Sequence, residues 1–208
     1  MTKPPKNKKP KQPDPPWKVL WPGDRGATKG DSERDTLLAA VGFALSTWEM
    51  MEEELALLFS ELIGAKWGGP AVRAYGSVSN FYGRADMLSA AAEAFFYEAT
   101  TGRIKIAGPD REVAHTQPEF GDLMKHCRQF SARRNDIAHG RYFNHPDLGY
   151  FLRPALYNSK KFDFDEHMFG SYSYTSFEIN AYRDHFSILI QRAREVRSAV
   201  ETIAKKIS

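Results

Sequence analysis

The C-terminal stretch constrains this chain most. From Ile179 to Ile207 the apolar positions Tyr182, Phe186, Leu189, Ala193, Val196, Val200 and Ile203 recur at alternating spacings of 3 and 4 without a break. That is the repeat of one face of a long helix. Thr175-Ser176-Phe177-Glu178 stands just before it and reads as a capping box that opens the helix. An apolar stripe of this length must be covered along its whole extent. It exceeds what one short partner helix covers, so the pattern predicts a subunit interface in addition to packing within the chain.

Three more helices read in the same way. The first is expected from Glu33 to Leu62, with Leu38, Val41, Leu45, Trp48, Met51, Leu55, Leu58 and Leu62 as its stripe. Ser32 or Asp31 can cap it and Gly64 can end it. Its run Glu52-Glu53-Glu54 reads as a solvated face. Gly64 to Gly76 is glycine-rich, lacks the pattern of a phosphate-binding loop and reads as a connection. The second helix is expected from Ser79 to Ala99, on Phe81, Ala85, Leu88, Ala92, Phe95 and Ala99, whose alanines predict close helix approach. Thr100 to Gln117 reads as a loop with a short strand at Arg103 to Ala107. The third helix is expected from Pro118, placed in its first turn, to His139.

After Gly140 the period changes. Arg141 to Asn144 and Gly149 to Arg153 flank His145-Pro146-Asp147-Leu148, a turn signal, and Ser171 to Tyr174 is a further strand candidate. These segments predict a small β insert over about 141–174. The expected fold class is all-α: an antiparallel bundle of four main helices, with a small β-hairpin insert between the third and fourth.

Charge divides the chain. Residues 1–30 hold eight Lys/Arg and two Asp, a balance of +6, and the rest holds 21 basic and 24 acidic residues, a balance of −3. With seven of the twelve prolines, the first 30 residues read as a disordered tail ahead of a helical domain at 31–208. Trp17 and Trp21 interrupt that tail as candidates for docking onto the domain. No apolar segment follows the basic N-terminus, and no apolar run is long enough to span a bilayer. A cytoplasmic protein with no membrane partner is therefore expected. The one cysteine, Cys127, lies on an apolar stripe and reads as a core residue. Asp163, Asp165, Glu166 and His167 look superficially like metal ligands, but their spacing fits a solvent-facing acidic loop better. His115, His126, His145 and His185 are scattered and read as surface or hydrogen-bonded histidines.

The third helix carries the chemistry. Phe120, Leu123, Cys127, Phe130, Arg134 and Ile137 fall at spacings of 3, 4, 3, 4 and 3, so an arginine stands in an apolar stripe. An arginine is always charged and is rarely buried unpaired. Arg134 therefore needs either a carboxylate, for which Glu52, Glu53 or Glu54 is a candidate, or an anionic ligand. His139 follows five residues later, at a helix end whose dipole favours the imidazolium. Asn135 shares a helix face with it. Arg134 and His139 lie about 140° apart around an ideal helix. They converge on one small target only if the arginine reaches far, the last turn deforms, or a second copy of the helix faces the first. Between Lys125 and Arg153 there are six basic residues against two acidic ones, a patch able to attract phosphates. Within it Lys125, Arg128, Arg133 and Arg141 are the candidate substrate-binding residues.

Arg134-Asn135-Asp136-Ile137-Ala138-His139 resembles the R-x(4 to 6)-H signature of the HEPN superfamily, small helical domains that include many metal-independent ribonucleases. The resemblance extends in layout over about residues 33–207. It implies that Arg134, Asn135 and His139 are catalytic, that RNA is the substrate, and that neither cofactor nor metal is used. It implies attack of a 2′-hydroxyl on the adjacent phosphate, leaving a 2′,3′-cyclic phosphate. It also implies a homodimer with motifs side by side, and a toxin or phage-defence setting with an antitoxin or defence-system partner. HEPN toxins regulated by nucleotidyltransferases carry a tyrosine two residues after the histidine. Here Tyr142 is three residues after His139, so that regulation is not carried over. The competing expectation is a non-catalytic helical module that binds RNA, a nucleotide or a protein through the same basic cleft. A buried Arg134 tied to a glutamate of the first helix would favour it.

Overall fold

The computed structural model describes residues 29–101, 111–154 and 173–207. The tail, the strand expected at 103–107 and the acidic segment around Asp163 lie outside the described residues. Among the described residues there are five helices and one hairpin: α1 (Arg34–Leu62), α2 (Gly68–Gly76), α3 (Phe81–Thr101), α4 (Arg111–Ala138), β1 (Gly140–His145), β2 (Gly149–Pro154) and α5 (Ser176–Ile207). The all-α bundle of four main helices, α1, α3, α4 and α5, with a small antiparallel β insert before α5, is as the sequence predicts.

The α5 stripe is buried from Ile179 to Ile203. Its most extensive neighbour is α1, a helix of 29 residues. The partner is therefore long, and the stripe is covered within the chain without a subunit interface. Trp48 of α1 stands at the centre. Its indole meets Phe81 of α3 edge-on at 5.3 Å between ring centroids and Phe186 of α5 at 5.1 Å. Phe186 in turn meets Phe130 of α4 at 6.1 Å, so one aromatic cluster joins all four main helices.

Several sequence expectations shift by a residue or more. On α1 the buried face begins at Leu37, Ala40 and Ala44, and Leu38 is exposed. On α3 Phe96 is buried and Phe95 only partly so. In both, alanines complete the face and allow the close approach that larger residues would block. Glu52 and Glu54 are buried, not solvated, because cations from other helices meet them: Arg84 of α3 pairs with Glu52, and Arg194 and Arg197 of α5 pair with Glu54. Residues 68–76, expected to be a loop, form α2. Ala71 and Tyr75 are one turn apart and buried, and Tyr75 packs on Phe59 of α1 at 5.6 Å. Tertiary burial there outweighs the low helix propensity of glycine. α4 begins at Arg111, not Pro118, because Val113 and Thr116 extend its buried face upstream. Pro118 thus sits inside the helix and removes one hydrogen bond to the preceding turn.

α1 ends where expected. Gly64 adopts φ 60°, its amide reaches the Glu61 carbonyl at 3.0 Å, and the Ala65 amide reaches the Ser60 carbonyl at 3.0 Å. The start differs: Glu33 holds the cap position and makes no side-chain cap. Asp31 caps α5 instead. Its carboxylate accepts from the Ser176 amide at 2.8 Å and from the Ser176 hydroxyl at 2.5 Å. Glu178 makes its half of the predicted box by accepting from the Thr175 amide at 2.7 Å, while the Thr175 hydroxyl donates to the same carboxylate.

In the hairpin, Arg141 lies opposite Arg153 and Tyr142 opposite Leu152. The free edge of β2 is paired by two short segments. Asp31 exchanges both backbone bonds with Tyr150, and Tyr174 exchanges both with Leu152. Asp31 thereby holds the approach to α1, the hairpin and the start of α5 together. Replacing it should cost about 1–2 kcal/mol, the usual worth of a helix cap. Asp31→Ala should lower the urea midpoint of unfolding without changing the slope; an unchanged midpoint would show that the cap carries no stability.

Candidate functional site

The C-terminal turns of α4 carry the motif, and their position is set by a buried carboxylate. Asp136, 3% exposed, accepts from Arg133 Nη1 at 2.7 Å and from the Tyr174 hydroxyl at 3.1 Å. Arg133 Nη1 also lies 3.2 Å from the Tyr174 oxygen. Burial and the adjacent carboxylate push the Tyr174 phenol up to about 12, so it remains a donor at neutral pH. Arg133 is committed to this structural network. Gly140 follows because nothing larger fits: a Cβ there would stand 2.7 Å from Leu152 Cγ and 2.9 Å from the Asp136 carbonyl oxygen. Close approach of the hairpin, not a left-handed backbone, explains the glycine.

Arg134 leaves the same turn on another side and lines a cleft between α3 and α4, about 230 Å³ in volume. One Nη donates to Glu49 of α1 at 3.2 Å, and the other is 3.4 Å from Asn135 Oδ1. The partner is a glutamate of the first helix, but Glu49 and not one of Glu52 to Glu54. The pair is open to water, with side chains 30% and 65% exposed, so it contributes at most about 1 kcal/mol. Arg134 Nε is buried and meets no hydrogen-bond acceptor among the described residues. A buried donor left unmade costs about 1–3 kcal/mol.

Asn135 also lines the cleft. His139 does not. It is exposed on the turn after α4, and its amide closes a last helical bond to the Asn135 carbonyl at 3.0 Å. Arg134 and Asn135 are thus brought together, while His139 stands beyond them, as the angular separation around the helix predicts. The other basic candidates are dispersed. Arg128 bonds Asp86 at 2.9 Å and Ser89 at 3.1 Å on α3. Lys125 is exposed on α4, and Arg141 is exposed on β1 across from Arg153.

Sequence reasoning missed the opposite wall. Asn80, Phe81, Tyr82 and Arg84, at the start of α3, line the cleft, and Trp48 and Glu52 of α1 line it as well. Arg84 is fully engaged: Nε donates to Glu52 at 2.7 Å, Nη2 pairs with the same carboxylate, and Nη1 donates to the Val78 carbonyl at 2.7 Å. Only an exposed aromatic at a helix start, Tyr82, could have signalled this wall in the sequence. Cys127 is buried beside Met51, and burial pushes its thiol up to about 12, so it is no nucleophile at neutral pH. His126 is buried with Nδ1 2.6 Å from the Asp122 carbonyl oxygen. His185 stacks on Phe130, and burial lowers its pKa.

Among the described residues no group of three or more His, Cys, Asp or Glu is placed to hold a metal ion, and no helix is long and apolar enough to cross a membrane. Comparisons with protein-family models, with curated proteins and with solved structures find no match to this chain.

The two adjacent arginines should respond differently to substitution. Asp136→Ala, which strands Arg133 and Tyr174, should cost about 2–4 kcal/mol, less than a fully buried pair because Arg133 is partly solvated. Arg134→Ala should change stability by less than about 1 kcal/mol. Equal losses in denaturant titrations would place Arg134 in the structural framework and remove it from the site.

Proposed function

We propose that this protein is a metal-independent endoribonuclease of HEPN type, with Arg134, Asn135 and His139 as its catalytic residues. The observation that carries this reading is the state of Arg134. It lines an open cleft, keeps one buried N–H without an acceptor among the described residues, and is restrained by a solvent-exposed glutamate and, at 3.4 Å, by its neighbour Asn135. Its neighbour Arg133, one residue away, shows how a structural arginine is held in the same helix, by a buried carboxylate. In the proposed reaction the His139 imidazole takes the proton from a 2′-hydroxyl as its oxygen attacks the adjacent phosphorus. Arg134 stabilises the charge that builds on the phosphoryl oxygens, and Asn135 orients a phosphate oxygen. The bond from phosphorus to the 5′-oxygen breaks, that oxygen takes a proton from water, and the proton held by His139 returns to the hydroxide so formed. The products are a 2′,3′-cyclic phosphate and a 5′-hydroxyl. Exposed Arg141 and Lys125 supply longer-range attraction for the RNA backbone. The toxin or phage-defence setting, and an antitoxin or defence-system partner, follow from the family resemblance alone.

Because His139 stands outside the cleft that holds Arg134, the site is proposed to be composite, with His139 of a second copy meeting Arg134 of the first. The second reading, a non-catalytic helical binding module, draws on a different observation: Arg134 does bond a glutamate of the first helix, Glu49. The two readings part in a simple assay. Purified protein should cleave mixed RNA in the presence of chelator. His139→Ala and Arg134→Ala should abolish cleavage while remaining folded, Asn135→Ala should weaken it less, and RNA with 2′-deoxy sugars should resist. Intact RNA with wild-type protein would leave the binding module.

The composite site also predicts assembly. Light scattering at micromolar concentration should report about twice the chain mass of 23.6 kDa. A monomer across the whole range would exclude a site shared between copies.

A further inference from the structure

The cleft has a second wall that the proposed phosphate chemistry does not use. Tyr82, in the first turn of α3, is 52% exposed. Its ring rests edge-on against Phe81 at 5.9 Å, and its hydroxyl reaches across to within 3.4 Å of Ser131 Oγ on α4. An exposed aromatic face held at a cleft mouth is a stacking platform for a nucleobase. Asn80 stands next to it. Its Oδ1 accepts from the Gly83 amide at 2.7 Å, which leaves the Nδ2 amino group as its donor toward solvent. The lining carboxylate, Glu52, already accepts from Trp48 at 2.7 Å and from Arg84. The cleft therefore offers an aromatic face, one amide donor and a carboxylate whose oxygens both have donors.

From this juxtaposition we infer that the α3–α4 cleft seats one nucleobase of the RNA beside the scissile phosphate, stacked on Tyr82 and selected as guanine by the amino donor of Asn80. The inference rests on the ribonuclease reading for the identity of its ligand as RNA. Guanine presents two adjacent acceptors, O6 and N7, on one edge. Adenine sets an amino donor beside N7, and cytosine places its own amino donor on the corresponding edge, so each would meet donor with donor. A cleft of about 230 Å³ has room for one base and not for a run of them.

The test is calorimetric titration of the full chain with GMP, UMP, AMP and CMP, run beside an RNA cleavage assay. Wild-type protein should bind GMP at least about fivefold more tightly than AMP or CMP. Tyr82→Ala should weaken GMP binding by about 5- to 150-fold, the range of one base–aromatic stack, and Tyr82→Phe should stay within about twofold of wild type. Asn80→Asp keeps the acceptor that caps α3 and replaces the donor with a second acceptor, so it should abolish the preference for GMP. Circular dichroism checks that each variant is folded. Equal binding of all four nucleotides, undiminished GMP binding by Tyr82→Ala, or a retained preference in Asn80→Asp each overturns the inference. The two assays separate the claims. Cleavage of RNA without guanine preference would leave the ribonuclease and remove the guanine seat. Selective GMP binding by a protein that cleaves no RNA would do the reverse.

Discussion

Burying the indole of Trp48 sets off a chain of obligations that shapes the molecule. The ring joins α3, α4 and α5 to α1 through the aromatic cluster, so it has to lie at the centre. An indole N–H at that depth needs an acceptor, and Glu52, one turn along α1, supplies it at 2.7 Å. The carboxylate is then itself buried and needs a cation, which Arg84 provides from α3. Arg84 spends its remaining donor on the Val78 carbonyl, which fastens the segment leading into α3. The start of α3 is thereby held against α1, and one wall of the cleft with it. Removing either end of the series would leave a buried polar group without its partner.

The other wall is fixed by a separate device. Asp136 ties the last turn of α4 to Arg133 and to Tyr174, and Tyr174 pairs with β2 at Leu152. Gly140 lets the hairpin close against the end of the helix. The motif therefore sits where helix, hairpin and the start of α5 meet. A site on such a junction is carried by rigid elements, while the Arg134 guanidinium bonds away from Asp136, to Glu49 and Asn135. That separation is what allows one arginine to be structural and the next to be available.

The architecture was largely readable because it rests on periodicity. The stripes of α4 and α5 match burial closely, and Glu178 reaches back to the Thr175 amide as a capping box requires. What failed has physical causes. Leu38 outranks Ala40 on any scale of hydrophobicity, yet close packing of α1 demanded the small residue. The glycines of α2 hid a helix that tertiary contact stabilises, and Glu52 and Glu54 looked solvated because their arginine partners lie 32 to 143 residues away. For the site, Arg134 was identifiable from its place in a stripe and Asn135 from its position one turn before His139. Glu49, Tyr82 and Asn80 were not, since a cleft wall built from another helix leaves no local pattern.

These features combine in a single chemical claim. Arg134 lines an open cleft and His139 provides an exposed imidazole on the same helix end, and the proposed reaction needs both and no metal. Mass spectrometry of the ends left on RNA after incubation in chelator tests the claim most directly. A 2′,3′-cyclic phosphate paired with a 5′-hydroxyl is the predicted result. A 3′-hydroxyl paired with a 5′-phosphate would contradict it, because those ends require an attacking water in place of the neighbouring 2′-oxygen.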